Sequence, residues 1–277
     1  MIFCREVVNI KLLTLNTHSH SEENQKDKLN ELVKGILKEK PDIIALQEVN
    51  QSIIAEKISV CDLHFVIRND IIIKRDNYAY LVTEELKRNG VKYYWTWLPV
   101  KKGYEKFDEG LAILSYNPIE KTDILILSKT NDYNNWKKRM ALGIKVKDEW
   151  YYCVHMGWFD DEEEPFKMQW ETINSHIGDM KNTWLLGDFN SDAKETDKGY
   201  DMIKKSGWYD SYEIAREKDS GFTVQKNIDG WNNKAVDNMR IDYIFSNVKR
   251  NIKTSYTIYN GKNFGFVSDH YGVIIEV

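Results

Sequence analysis

The chain has 277 residues, 42% hydrophobic and 13% aromatic, enough apolar mass for a sizeable core. Thirty-nine basic residues against 43 acidic ones leave a net charge of −4, which argues against a dominant non-specific grip on nucleic acid and leaves room only for a local basic patch. Cys4, Cys61 and Cys153 lie far apart without a CxxC spacing, which argues against a disulfide framework and favours a reducing cytoplasm.

The first residues, Met1 to Glu6, lack the basic and apolar blocks of a signal peptide. No stretch approaches the roughly 20 apolar residues of a membrane span. With four prolines, no repeat and no linker, residues 1–277 read as one domain.

Val7 to Leu15 is β-branched and apolar, a strand that delivers Asn16 to its carboxyl end, as a turn former or a site residue. Leu29, Leu32, Val33, Ile36 and Leu37 recur at helical spacing, and Pro41 closes that helix. Asp42 to Leu46 is the next strand, with Gln47-Glu48-Val49 at its end. A carboxylate there must find a Lys or Arg, water or a cation. A helix is expected over 78–89, a strand over 93–100, a loop over 101–108 and a strand from Glu109 to Ser115 in which Gly110 permits close approach.

Further strands follow at 125–127 and 141–146. Arg139, just before the latter, reads as a surface residue taken by itself, or as a phosphate contact. Trp150 to Val154 is a strand ending in His155, which is either a satisfied core histidine or a site residue. A helical pattern runs from Phe166 to Met180 into the strand Thr183–Leu186, after which Gly187 lets the backbone turn. Asp188 and Asn190 alternate with Gly187 and Phe189, so both side chains leave one face. They form either an Asx turn or a seat for a cation or water. After a short helix at 200–205, the strand 240–246 carries Asp242 inside it, an acid that needs a partner such as a histidine. The strand 271–277 is preceded by Asp269-His270, a carboxylate beside a proton-handling imidazole.

Asn16, Glu48, Glu109, His155, Asp188, Asn190, Asp242, Asp269 and His270 each have a dull explanation alone. Their shared position beside predicted strands does not. No Ser nucleophile elbow, GxGxxG or P-loop competes with them. Carboxylates, amides and imidazoles without a thiolate cluster suit Mg²⁺ or Mn²⁺ better than Zn²⁺.

The order LNTH, LQEV, EGLAILS, VHMGW, LLGDFNSD, RIDYIFSN and SDHYGVII, from Asn9 to Val277, strongly resembles the deoxyribonuclease I-like endonuclease/exonuclease/phosphatase superfamily. The resemblance implies an α/β fold, a four-layer αββα sandwich with two central mixed β-sheets flanked by helices, and metal-dependent phosphoester hydrolysis. It implies Glu48 as the main Mg²⁺ ligand, helped by Asn16 and Asp269, and His270 oriented by Asp242 as the residue that activates water or stabilises phosphoryl oxygens. His155, held by Glu109, would bind phosphate or act as general acid. Asp188 and Asn190 would position water and the phosphorane oxygens, and Arg139 would contact phosphate.

The loops around His155–Phe159, Glu164–Phe166, Gln169-Trp170 and Asp229–Trp231 look most like a bacterial subgroup containing maltose 6'-phosphate phosphatases. That implies a small sugar phosphate as partner, with Trp158, Trp170 and Trp231 as walls against the sugar or as packing residues. The alternatives are a phosphodiesterase acting on DNA, RNA or a phospholipid head group, and a catalytically dead binding or scaffold protein on the same fold.

Overall fold

The computed structural model describes residues 9–60, 62–66, 71–225 and 238–277. In chain order the elements are β1 (Lys11–Asn16), α1 (Gln25–Glu39), β2 (Ile43–Ser52), α2 (Tyr78–Arg88), β3 (Tyr94–Gly103), β4 (Phe107–Ser115), β5 (Lys121–Ile126), β6 (Met140–Val146), β7 (Glu149–His155) and α3 (Phe166–Ile177). There follow β8 (Thr183–Asp188), α4 (Gly199–Lys205), β9 (Tyr209–Asp210), α5 (Ser211–Ile214), β10 (Glu217–Lys218), β11 (Asp242–Ser246), β12 (Thr254–Ile258) and β13 (Gly272–Glu276).

The alternation in β1 sets the layers. Leu12 points into an apolar cluster shared with Ile43, Ala45, Leu142, Cys153, Trp184, Leu186 and Ile244, while Leu13 and Leu15 join Leu32, Ile36, Val82 and Leu86 of α1 and α2. Successive residues therefore serve opposite faces of one sheet, as the period of two requires. That sheet has seven strands in the order β10-β12-β13-β1-β2-β4-β3. Facing it across the Leu12 cluster lies a six-stranded sheet, β5-β6-β7-β8-β11-β9. Its outer face packs Tyr152, Val154, Leu185 and Phe245 against Trp170, Ile173 and Ile177 of α3 and Ile203 of α4. Helices thus cover both outer faces of two stacked mixed sheets, the expected four layers. Parallel pairs β1–β2 and β7–β8 lie inside each sheet, with antiparallel neighbours around them.

Three expectations change. β2 does not stop at Leu46: it runs to Ser52 through a one-residue bulge, its pairing stepping from Leu46↔Ala112 to Val49↔Gly110. Glu48 sits in that bulge with φ 52°, so it interrupts a strand rather than following one. The segment 101–108 is not a loop, because β3 and β4 extend into a hairpin that pairs Lys101 with Glu109. Gly187 does not turn the chain. It pairs with Val154 inside the β7–β8 ladder, where a Cβ would lie 1.9 Å from the Val154 carbonyl oxygen. Asn16 ends β1 as expected, and its Oδ1 accepts from the His18 backbone N–H at 3.2 Å, an Asx-turn contact; Val7 and Val8 lie outside the described residues.

Gly187 has φ 154° as well as that contact. Gly187→Ala is expected to lower stability by about 3 kcal/mol, from backbone strain plus overpacking. Urea unfolding would show this as a lower midpoint at unchanged slope, and an unchanged midpoint would mean the ladder adapts freely.

Candidate active site

In the six-stranded sheet, His155 lies opposite Asp188, and Asp188 opposite Asp242, so a row of three polar residues crosses β7, β8 and β11 at one edge. In the seven-stranded sheet, Asn16 ends β1, Glu48 bulges from β2, and Glu109 and Lys101 face each other on β4 and β3. The two edges meet across a cleft of about 330 Å³ whose walls include Glu48, Glu109, Arg139, His155, Trp158, Asp188, Asn190, Asp269 and His270. Asn16 and Asp242 stand directly behind it, bonded to these residues.

Asp188 is the hub. Its Oδ2 accepts a hydrogen bond from Asn16 Nδ2 at 3.1 Å and lies 3.6 Å from His155 Nε2 and 3.9 Å from His270 Nε2. Its Oδ1 accepts from the Asn190 backbone N–H at 2.8 Å. That contact follows from the left-handed turn at Asn190, φ 47°, a conformation Asn tolerates well. Burial pushes the Asp188 carboxyl up to about 7, with the Asp242 charge adding to it against the pull of His270. The segment ahead of β13 brings in His270, whose Nδ1 is 2.9 Å from Asp242 Oδ2. Burial opposes charge on that imidazole, yet Asp242 and Asp188 outweigh it and hold the ring well above its ordinary pKa. His155 is the opposite case: burial, then the nearby charges of Arg139, Lys101 and His270, hold it well below its ordinary value. Two histidines of one cleft are thus held in different protonation states, a division that suits acid–base work.

Asn16 also donates to Glu48 Oε1 at 2.8 Å, so its amide nitrogen bridges two carboxylates of different sheets. Burial raises the Glu48 pKa, and the Glu109 charge raises it further. Carboxylate and imidazole donors at the cleft, with Glu48, Glu109 and Asp269 close enough to raise one another's charge cost, fit a hard divalent cation. Two groups of described residues bring three His, Asp or Glu ligand atoms within 4.8 Å of one another: Asp188, Asp242 and His270, and His18, Glu22 and Asp269. Glu48 belongs to neither. Asp269 lines the cleft but stands beside His18, its Oδ1 3.8 Å from His18 Nδ1.

Three expected placements differ. Glu109 does not hold His155; its Oε1 is 3.1 Å from Lys101 Nζ, the cross-strand partner that the hairpin creates. Arg139 is not at the surface. It is 3% exposed, with Nη1 donating to the carbonyls of Trp136 and Lys138 at 3.2 and 3.3 Å, and its guanidinium 5.7 Å from the Trp158 ring. Trp170 is a core residue, buried on α3 with its indole N–H donated to Ser206 Oγ, and takes no part in the cleft. Trp231 lies outside the described residues.

His18, Lys101, Lys102, Tyr104 and Trp136 also line the cleft and were not picked out by sequence reasoning as site residues. The lysines were hidden by reading 101–108 as loop. Trp136 carried no signal, lying in a polar stretch between strands.

The profile of the Endonuclease/Exonuclease/phosphatase family matches residues 13–270, nearly the whole described chain. The chain belongs to the endonuclease/exonuclease/phosphatase family. Members of this family are divalent-metal-dependent phosphoester hydrolases, and the chain is accordingly a phosphoesterase of this family.

An endonuclease/exonuclease/phosphatase family protein from Leptotrichia buccalis C-1013-b is 32% identical, with a TM-score of 0.82 and coverage of 96% of this chain and 98% of its own. The fold is shared, at lower identity, with a mannosyl-6-phosphatase from Bacteroides thetaiotaomicron VPI-5482 (19% identical, TM-score 0.61, covering 97% and 99%). It is shared too with a 3' phosphatase from Neisseria bound to product DNA hairpin (17%, TM-score 0.60, covering 96% and 98%). No curated protein matches the chain. Among the described residues no helix is long and apolar enough to cross a membrane.

Proposed function

We propose that this family member is a phosphomonoesterase that releases phosphate from a small sugar phosphate such as maltose 6'-phosphate, using Mg²⁺ or Mn²⁺. The observation that carries the reading is Arg139. Its guanidinium is buried in the cleft wall, its Nε has no hydrogen-bond partner, and among the described residues no carboxylate lies within ion-pair distance of it. Glu109, Glu48, Asp188 and Asp161 act on it only from beyond contact distance, so its Nε is left to bond a ligand, and a phosphate dianion is the natural partner of a guanidinium. The mannosyl-6-phosphatase of the same fold supports a sugar phosphate as the substrate class. The chain's near-balanced charge supports a small substrate over a polynucleotide.

In this reading Glu48 would be the main ligand of the cation, helped by Asn16, which is bonded to it, and by Asp269. When bound, the cation neutralises charge on the phosphoryl oxygens and on the leaving oxygen. The chain's own residues do the rest. Arg139 and the imidazolium of His270 bind the non-bridging oxygens, and Asp242 keeps that ring oriented and charged. Asp188, set near neutrality, takes the proton of the in-line water, with Asn190 beside it to place the water. His155, which burial and Arg139 keep neutral, donates a hydrogen bond to the phosphate without help from Glu109; the proton for the leaving oxygen then comes from solvent, since a neutral imidazole is no general acid. We place residues 1–277 in one domain working in the reducing cytoplasm, a setting supported by the free, buried thiol of Cys153.

A phosphate-release screen over sugar phosphates, run beside plasmid DNA and a bis-aryl phosphodiester, tests this. Turnover of monoesters only is expected; turnover confined to the diesters would replace the reading with a phosphodiesterase. EDTA is expected to stop release, and excess Mg²⁺ or Mn²⁺ to restore it. Activity that survives exhaustive chelation would remove the cation from the scheme.

A further inference from the structure

Trp136 is 54% exposed, yet little around it is loose. Its carbonyl oxygen is gripped from inside the cleft by Lys101 Nζ at 3.0 Å and Arg139 Nη1 at 3.2 Å. The Lys137 ammonium lies 5.5 Å from its ring centroid and is itself tied to Asp161 and Glu163 at 2.9 and 2.8 Å. The Trp158 ring stands 5.8 Å away at 57°. The segment that carries it is pinned further by Glu164, which accepts from the backbone of Lys129 and Thr130 at 2.6 and 2.8 Å. Single exposed apolar residues are ordinary and usually mean nothing. This one differs in being an indole at the mouth of the cleft whose own backbone carbonyl is bonded by the guanidinium proposed to take the phosphate.

We propose that Trp136 is the platform on which the ring of the leaving group packs, selecting phosphomonoesters of neutral cyclic polyols over acyclic ones. The inference rests on the phosphatase reading and adds to it the residue that sets specificity. Phosphate on Arg139 fixes one end of the substrate, so the next bonded atoms must leave toward the mouth. There the indole offers apolar area to the C–H face of a sugar ring at little entropic cost, because its orientation is already set. The lysines of this wall are also spoken for, Lys101 by Glu109, Lys102 by Glu105 and Lys137 by Asp161, so further phosphates of a polynucleotide would have to compete for them.

The test measures KM and kcat for wild type, Trp136→Ala and Trp136→Phe on maltose 6'-phosphate, glycerol 3-phosphate and a DNA oligonucleotide 3'-phosphate. Trp136→Ala is expected to raise KM for the sugar phosphate about tenfold at nearly constant kcat, as loss of a well-made aromatic contact would. Glycerol 3-phosphate should be unaffected, and Trp136→Phe should recover most of the loss. A KM change equal on sugar and glycerol phosphates, no change at all, or a change confined to the oligonucleotide would each overturn the platform. If wild type releases phosphate from none of the three, the phosphatase reading itself falls and takes the inference with it. If wild type turns them over but the variants leave their ranking untouched, only the inference falls.

Discussion

Replacing His270 by Gln is expected to cut phosphate release by roughly 10²- to 10³-fold, the usual loss when one donor to a developing oxyanion is removed. The obvious variant, His270→Ala, mixes two effects. Asp242 is 1% exposed, and among the described residues its Oδ1 lacks a hydrogen-bond partner and its Oδ2 is bonded by the His270 imidazole. Removing that ring strands a buried carboxylate, which costs about 3–5 kcal/mol. His270→Ala should therefore be both inactive and unstable. The double variant His270→Ala with Asp242→Asn should regain stability and stay inactive, because the stranded charge is gone. Thermal melts run beside phosphate release separate these outcomes. Turnover near wild type in His270→Gln would remove the imidazole from the chemistry.

The second large effect runs in opposite directions for activity and stability. Arg139→Met is expected to lower kcat/KM by about 10²-fold or more, in the range for breaking a buried charge pair. Stability should hold or rise, since a buried guanidinium with no ion-paired carboxylate among the described residues is exchanged for an apolar chain of similar length. Inorganic phosphate should raise the Tm of wild type and not of the variant, because ligand binding stabilises by mass action. A variant that loses stability but keeps its activity would show that Arg139 serves the fold alone.

Much of this architecture can be read from residues. The apolar alternation of β1 and the apolar runs of β4 and β8 announce strands because both faces of each are covered, by the other sheet and by helices. β12 left no comparable trace, since in Thr254–Ile258 two of five residues are only half-buried and four are polar or aromatic. The bulge at Glu48 was equally silent: one inserted residue changes the register without changing composition.

Site residues legible in the sequence were the charged and amide groups bordering apolar strands, because burial there demands a partner. The partner itself was not legible. That Glu109 pairs with Lys101 follows from a hairpin register, which spacing alone does not give. The depth of Arg139 depends on a long connection folding back over the cleft, held by Glu164 from a segment well down the chain.

The pairing of β1 with β13, Lys11 opposite Glu276, has a kinetic meaning. β13 is an interior strand of its sheet, wedged between β1 and β12, so that sheet closes only by joining segments from opposite ends of the described chain. Contacts of such long span make folding slow, because the entropy of closing the large loop is lost before the contacts repay it. The same closure carries His270 into position just ahead of β13. Hydrolytic competence is therefore among the last properties a folding molecule acquires, and refolding followed by phosphate release should lag refolding followed by burial of the α3 tryptophan.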